Sequence, residues 1–153
     1  MSETHAFKRS HDILITAPAS AVLDYVSNPN SWPEWIASSH EIDSPDRPMR
    51  KGDTFIEQWS TRSGPAQLDW VVTDCEPPHL WIGETKTDFI GTIIVRYDVK
   101  EEGNGEVRFT RTMINPARPK PPTEDQIARM DAEAEVSLAN IKRNVEAKVT
   151  KAS

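Results

Sequence analysis

Apolar residues gather from Phe7 to Thr16 and end in Ile13-Leu14-Ile15, which predicts a first strand over 7–16. Pro18 then stands where a first helical residue tolerates proline, so a short helix is predicted over 18–27, with Val22 and Val26 one turn apart. Asn28-Pro29-Asn30 breaks it. Ser31 is placed to cap a second short helix over 31–38, with Pro33 in its first turn and Glu34 near its positive end. Between residues 39 and 114 the period falls to two. Short apolar runs are separated by turn signals such as Lys51-Gly52-Asp53, Ser63-Gly64-Pro65, Glu76-Pro77-Pro78 and Gly103-Asn104-Gly105, the pattern of an antiparallel meander. Ile93, Val95, Tyr97 and Val99 alternate with Thr92, Arg96 and Asp98. Val107, Phe109 and Met113 alternate with Arg108, Thr110 and Thr112.

Residues 115–122 hold four prolines and read as a stiff loop outside the sheet. Thr123 and Gln126 then form a capping box that opens a helix over 123–149. Ile127, Met130, Ala134, Leu138, Ile141 and Val145 make one apolar stripe along it, and Lys142, Arg143, Lys148 and Lys151 crowd its negative end. At 1.5 Å per residue such a helix is nearly 40 Å long, enough to cross a small domain. With no repeat and no linker-like tract, the chain reads as one domain over 1–153.

Composition narrows the partners. Net charge is −6, and the sequence pI is about 5.2. An acidic surface repels phosphate backbones and anionic lipid, so nucleic acid is not expected as a partner. Cys75 is the sole cysteine, which leaves no internal disulfide; in its apolar run it reads as an inert thiol. The first ten residues lack an apolar signal core, and no run reaches the roughly 18 apolar residues of a membrane span. No membrane insertion and a cytoplasmic location are therefore expected.

Four local features carry a resemblance: Ala17-Pro18-Ala19 with Val22, Trp32-x-x-Trp35, Glu76-Pro77-Pro78-His79-Leu80, and Leu138-x-x-Ile141-Lys142. Set in the order strand, two short helices, six strands, long helix, they resemble the START-like (SRPBCC) group and its polyketide cyclase/dehydrase branch. The resemblance implies an α+β helix-grip fold. In it a curved seven-stranded antiparallel sheet wraps around a long C-terminal helix, with two short helices after strand 1 and an apolar cavity inside. Members bind lipids, hormones, quinones or polyketides; some cyclise or dehydrate the ligand, and a related branch stimulates a heat-shock ATPase.

Face assignments follow from the alternation. Trp59, Trp70 and Trp81 are spaced by eleven. A hairpin centred between Gly64 and Pro65 would set Trp59 directly opposite Trp70. The apolar face Ala66, Leu68, Trp70, Val72 then points inward, and with it Phe55, Glu57 and Trp59. The register of Trp81 stays open by one residue, and one step reverses every face. The expected ligand-binding wall is Phe55, Glu57, Trp59, Trp70, Val95, Tyr97, Phe109, Arg111 and Met113 from the sheet, with Met130 and Ala134 from the helix. Glu57 and Arg111 are its charged members, and each needs a partner, in the other or in a ligand. A slipped register would turn one of them to solvent. The tryptophans suit core packing or an aromatic ligand.

Known catalytic and metal motifs are lacking. The histidines at 5, 11, 40 and 79 have no metal-site spacing, and no nucleophile elbow or phosphate loop occurs, so neither metal nor cofactor is expected. The expected function is binding of a hydrophobic, aromatic or polyketide- or lipid-like small molecule. The alternatives are a cyclase/dehydratase, with Glu57 or Tyr97 moving a proton and Arg111 polarising a carbonyl, and a protein-interaction role. A homodimer is compatible with a chain of this size, without support from particular residues.

Overall fold

The computed structural model describes residues 4–36, 39–61, 64–88 and 90–152. Strand β1 (His5–Thr16) is followed by helix α1 (Ala19–Val26), a 3-10 turn (Pro29–Ser31) and a one-turn helix α2 (Trp32–Trp35). Strands β2 (Ser39–Asp43), β3 (Thr54–Thr61), β4 (Gly64–Glu76), β5 (Leu80–Thr87), β6 (Gly91–Gly103) and β7 (Glu106–Arg118) come next, and helix α3 (Glu124–Ala152) closes the chain. All seven strands join one antiparallel sheet in the order β1-β7-β6-β5-β4-β3-β2. Helix α3 runs along β1 and rests on α1 and α2. This is the expected helix-grip arrangement. Among the described residues no helix is long and apolar enough to cross a membrane.

The local signals act as the sequence suggests where they are short-range. Thr123 Oγ1 accepts from the Gln126 amide at 3.1 Å, and Gln126 Oε1 accepts from the Thr123 amide at 2.9 Å, so the capping box is complete. Asn104 and Gly105 form the two-residue β6–β7 turn with φ of 56° and 76°, the left-handed pair that matches strand twist. Pro18 lies one residue outside α1 rather than inside it, with extended backbone. The second short helix is shorter than the span 31–38, and residues 37 and 38 lie outside the described residues. Ser31 does not cap it. Its hydroxyl donates to the Tyr25 carbonyl at 2.7 Å and accepts from Trp35 Nε1 at 3.1 Å.

Two expectations are corrected. The β3–β4 hairpin does not centre on Gly64-Pro65: Thr61 pairs with Gly64, so Trp59 faces Ala66 and Trp70 faces Phe55. The slip is an even number of residues, so the inward faces survive although the two tryptophans are no longer opposite. The proline-rich segment is not wholly outside the sheet either. Asn115 pairs with Phe7, and Arg118 with His5. Between them a bulge sets Pro116 and Ala117 against the single residue Ala6, which accommodates a residue without an amide hydrogen.

The core is aromatic. The Trp32 ring meets Phe55, Trp70, Trp81 and Trp35 edge-on, with centroids 5.2, 5.5, 6.2 and 6.3 Å away. Trp81 stacks on Tyr97 at 5.0 Å, which settles its register toward the interior, and its Nε1 donates to the Met49 carbonyl at 3.2 Å. Such edge and offset contacts contribute about 0.5–1.5 kcal/mol each beyond buried area. On α3 the buried stripe is Ala134, Leu138, Ile141 and Val145, whereas Ile127 and Met130 are only half-buried. The helix is packed at its C-terminal half and stands over open space at the other.

Candidate functional site

That open space is a cavity of about 800 Å³ between the concave sheet face, α2 and the N-terminal half of α3. It falls in the range of small-molecule sites, roughly 300–1,000 Å³. Its wall is mostly apolar: Trp32, Trp35, Trp59, Trp70, Leu68, Ile93 and Val95 contribute from α2 and the sheet, and Met130, Ala134 and Val136 from α3. Of the expected wall, Glu57, Trp59, Trp70, Val95, Tyr97, Arg111, Met113, Met130 and Ala134 all line the cavity. Phe55 and Phe109 do not. Phe55 stacks on Trp70 at 6.1 Å and Phe109 tilts against Tyr97 at 5.5 Å, each behind the wall it supports.

Polar side chains also line the cavity, and those on the sheet are unequal in their satisfaction. Glu57, 3% exposed, accepts from Trp70 Nε1 at 3.0 Å. No ion pair among the described residues joins it to Arg111. Arg111 instead lies over the Trp35 ring, with its guanidinium carbon 5.8 Å from the centroid. Among the described residues its buried Nε has no hydrogen-bond partner, and neither has the hydroxyl of Tyr97, the residue directly opposite on β6. Tyr97 is 0% exposed. Burial pushes its hydroxyl well above the ordinary phenol range, and the Arg111 charge only partly offsets this, so the group stays protonated. As a result Tyr97 can donate a hydrogen bond but cannot serve as a base near neutral pH.

The rim carries a cluster that the alternation did not single out. Asp131 of α3 accepts from Arg9 Nε at 2.9 Å and Nη2 at 2.5 Å, and meets His11 Nε2 at 2.7 Å. The guanidinium and the imidazole hold its carboxyl far below the usual carboxylate range. Asp131, the first residue of an acidic run on α3, therefore supplies a clasp between α3 and β1. A second clasp joins all three helices: Tyr25 donates to Glu34 at 2.7 Å and accepts from Asn144 at 2.9 Å. Arg118 also lines the cavity and was missed, because the bulge before it breaks the period-two reading. Cys75 is half-buried, and burial raises its thiol while the nearby Arg50 partly offsets this. Among the described residues no group of three or more His, Cys, Asp or Glu side chains could hold a metal ion.

Known proteins share this architecture. The Zhui aromatase/cyclase from a Streptomyces species superposes with a TM-score of 0.74, covering 95% of this chain and 96% of its own at 11% identity. A START superfamily protein from Mycobacterium smegmatis gives 0.67, covering 95% and 99% at 12% identity. At such identities the likeness concerns the fold alone. In sequence, the chain is 29% identical over 117 residues to the Penitrem biosynthesis cluster 1 protein I of Penicillium ochrochloron, covering 72% of this chain and 76% of that protein. The family model described as polyketide cyclase / dehydrase and lipid transport matches residues 6–146. A match across nearly the whole helix-grip unit, from β1 to the last turns of α3, makes this chain a member of that family.

Proposed function

We propose that the cavity binds a hydrophobic, aromatic small molecule that carries an oxygen acceptor, and that Tyr97 and Arg111 hold that oxygen. One observation carries this reading: Tyr97 and Arg111, side by side on β6 and β7, line a mostly apolar cavity, and among the described residues the buried Tyr97 hydroxyl and Arg111 Nε have no hydrogen-bond partner. A buried donor without a partner costs about 1–3 kcal/mol, a cost that a ligand carbonyl or phenolate would relieve. Flat indoles at Trp35, Trp59 and Trp70 suit an aromatic ring system. The test is quenching of intrinsic tryptophan fluorescence by polycyclic phenols and ketones. Saturable quenching that weakens at least about fivefold in both Tyr97→Phe and Arg111→Leu supports the reading. Equal affinity in all three proteins ends it.

A second reading, ring closure or dehydration in the same cavity, is supported by the family's description and by the biosynthetic names of two similar proteins. In that chemistry the walls would hold a reactive chain folded, and the Tyr97 and Arg111 donors would stabilise charge on a carbonyl oxygen as it becomes an enolate. Glu57 would be the base, since Tyr97 keeps its proton. Turnover of a bound poly-β-ketone that disappears in Glu57→Gln while binding persists would favour this reading. An interaction role has less support, because the exposed large apolar side chain among the described residues, Val136 at 60%, borders the cavity mouth and is not part of a separate surface patch.

A further inference from the structure

Arg118 ends β7 beyond the Pro116 bulge, and the bulge turns its side chain back to the cavity wall. It is 7% exposed, yet among the described residues no carboxylate forms an ion pair with it. Its Nε donates to the Lys120 carbonyl at 3.0 Å, its Nη1 donates to Asn115 Oδ1 at 3.4 Å, and its plane lies over Phe7 at 5.9 Å. All of these partners are neutral. Arg9, Arg47, Arg50, Arg96 and Arg108 each hold an acidic side chain, whereas no ion pair among the described residues includes Arg118. Burial pulls its guanidinium below the ordinary value, with no neighbouring anion to pull it back. A guanidinium has five N–H donors, and the two protein acceptors leave the others for whatever occupies the cavity.

We infer that Arg118 is an anion-binding subsite of the cavity, taking the terminal carboxylate of an amphipathic ligand whose apolar part lies along β7 toward Tyr97 and Arg111. The inference rests on the cavity being a binding site. At this end of β7 one guanidinium offers a planar pair of donors and a single charge, which matches one carboxylate. The seven residues from Arg111 to Arg118 correspond to roughly 20 Å of extended backbone at about 3.3 Å per residue, less the shortening at the bulge, so a ligand that meets both is elongated, with a polar group at each end.

The probe is dansyl-aminoundecanoic acid, compared with its methyl ester and with the phosphate monoester of the corresponding alcohol. Each is titrated into wild type, Arg118→Gln and Arg118→Lys, with dansyl emission excited through the tryptophans. The acid is expected to bind wild type at least about tenfold more tightly than the ester, as charge-assisted hydrogen bonds to a buried cation would give. Arg118→Gln should erase that difference by weakening the acid alone, and Arg118→Lys should retain part of it. Acid and ester of equal affinity in wild type, or Arg118→Gln weakening both alike, would overturn the subsite while leaving the cavity reading intact. A phosphate ester tighter than the acid would overturn the carboxylate assignment. No binding of any probe would remove the cavity reading and the subsite with it. The comparison within wild type stands even if Arg118→Gln misfolds.

Discussion

Tyr97 and Arg111 are direct cross-strand partners, and among the described residues neither the buried Tyr97 hydroxyl nor the buried Arg111 Nε has a hydrogen-bond partner. Within the protein alone this arrangement is destabilising, and removing the phenolic oxygen should relieve it. Tyr97→Phe is expected to match or exceed wild-type stability by up to about 1 kcal/mol in urea unfolding, while binding aromatic ligands less tightly. A variant that lost more than about 2 kcal/mol would mean the hydroxyl is satisfied, and would undercut its assignment as a ligand donor.

Asp131 clasps α3 to β1 through Arg9 and His11. Its carboxyl is depressed in the folded chain, so the stabilisation is complete above the ordinary carboxylate value near 3.8 and fades as pH falls toward the lower folded value. Melting temperature of wild type should therefore fall below about pH 4, as far as this group is concerned. Asp131→Asn should melt lower than wild type at neutral pH, and the gap should narrow in acid. A gap that is constant with pH would exclude the charged clasp.

Gly83 sits under the Trp81 ring that stacks on Tyr97. A Cβ built there would lie 2.7 Å from Trp81 Cη2 and 3.5 Å from Trp70 Cε3. Trp81 is fully buried and cannot swing aside. Gly83→Ala should cost about 1–3 kcal/mol in chemical denaturation, the usual cost of overpacking. An unchanged midpoint would show that the aromatic layer is looser than its contacts suggest.

Trp70 both lines the cavity and donates to Glu57. Trp70→Phe keeps an aromatic wall but removes that donor from a buried carboxylate. The variant should lose about 1–3 kcal/mol, and Glu57→Gln placed on top of it should cost less than in wild type. Strict additivity in this double-mutant cycle would argue that the hydrogen bond is energetically idle.

Much of this was legible because it is short-range. Capping at Thr123, the Asn104-Gly105 turn and the alternation through Ile93–Val99 depend on neighbours in sequence, where a side chain's period fixes its face. Even the misplaced β3–β4 turn preserved the inward set of Phe55, Glu57 and Trp59, since an even slip keeps parity. Asp131 and Arg118 escaped for the opposite reason. One finds its partners, Arg9 and His11, on β1 from 120 residues or more away, and the other follows a bulge that resets the alternation.

Alternation, turn chemistry and helix periodicity by themselves determined the element order, the faces of most strands and the apolar character of the interior, because these are local consequences of side-chain type. Only the folded chain decided which polar groups meet, since partners such as Trp70 and Glu57 lie thirteen residues apart and Asp131 and His11 one hundred and twenty. A hydrogen bond or an unanswered charge is a property of two groups at about 3 Å, and distance in space is what sequence does not carry.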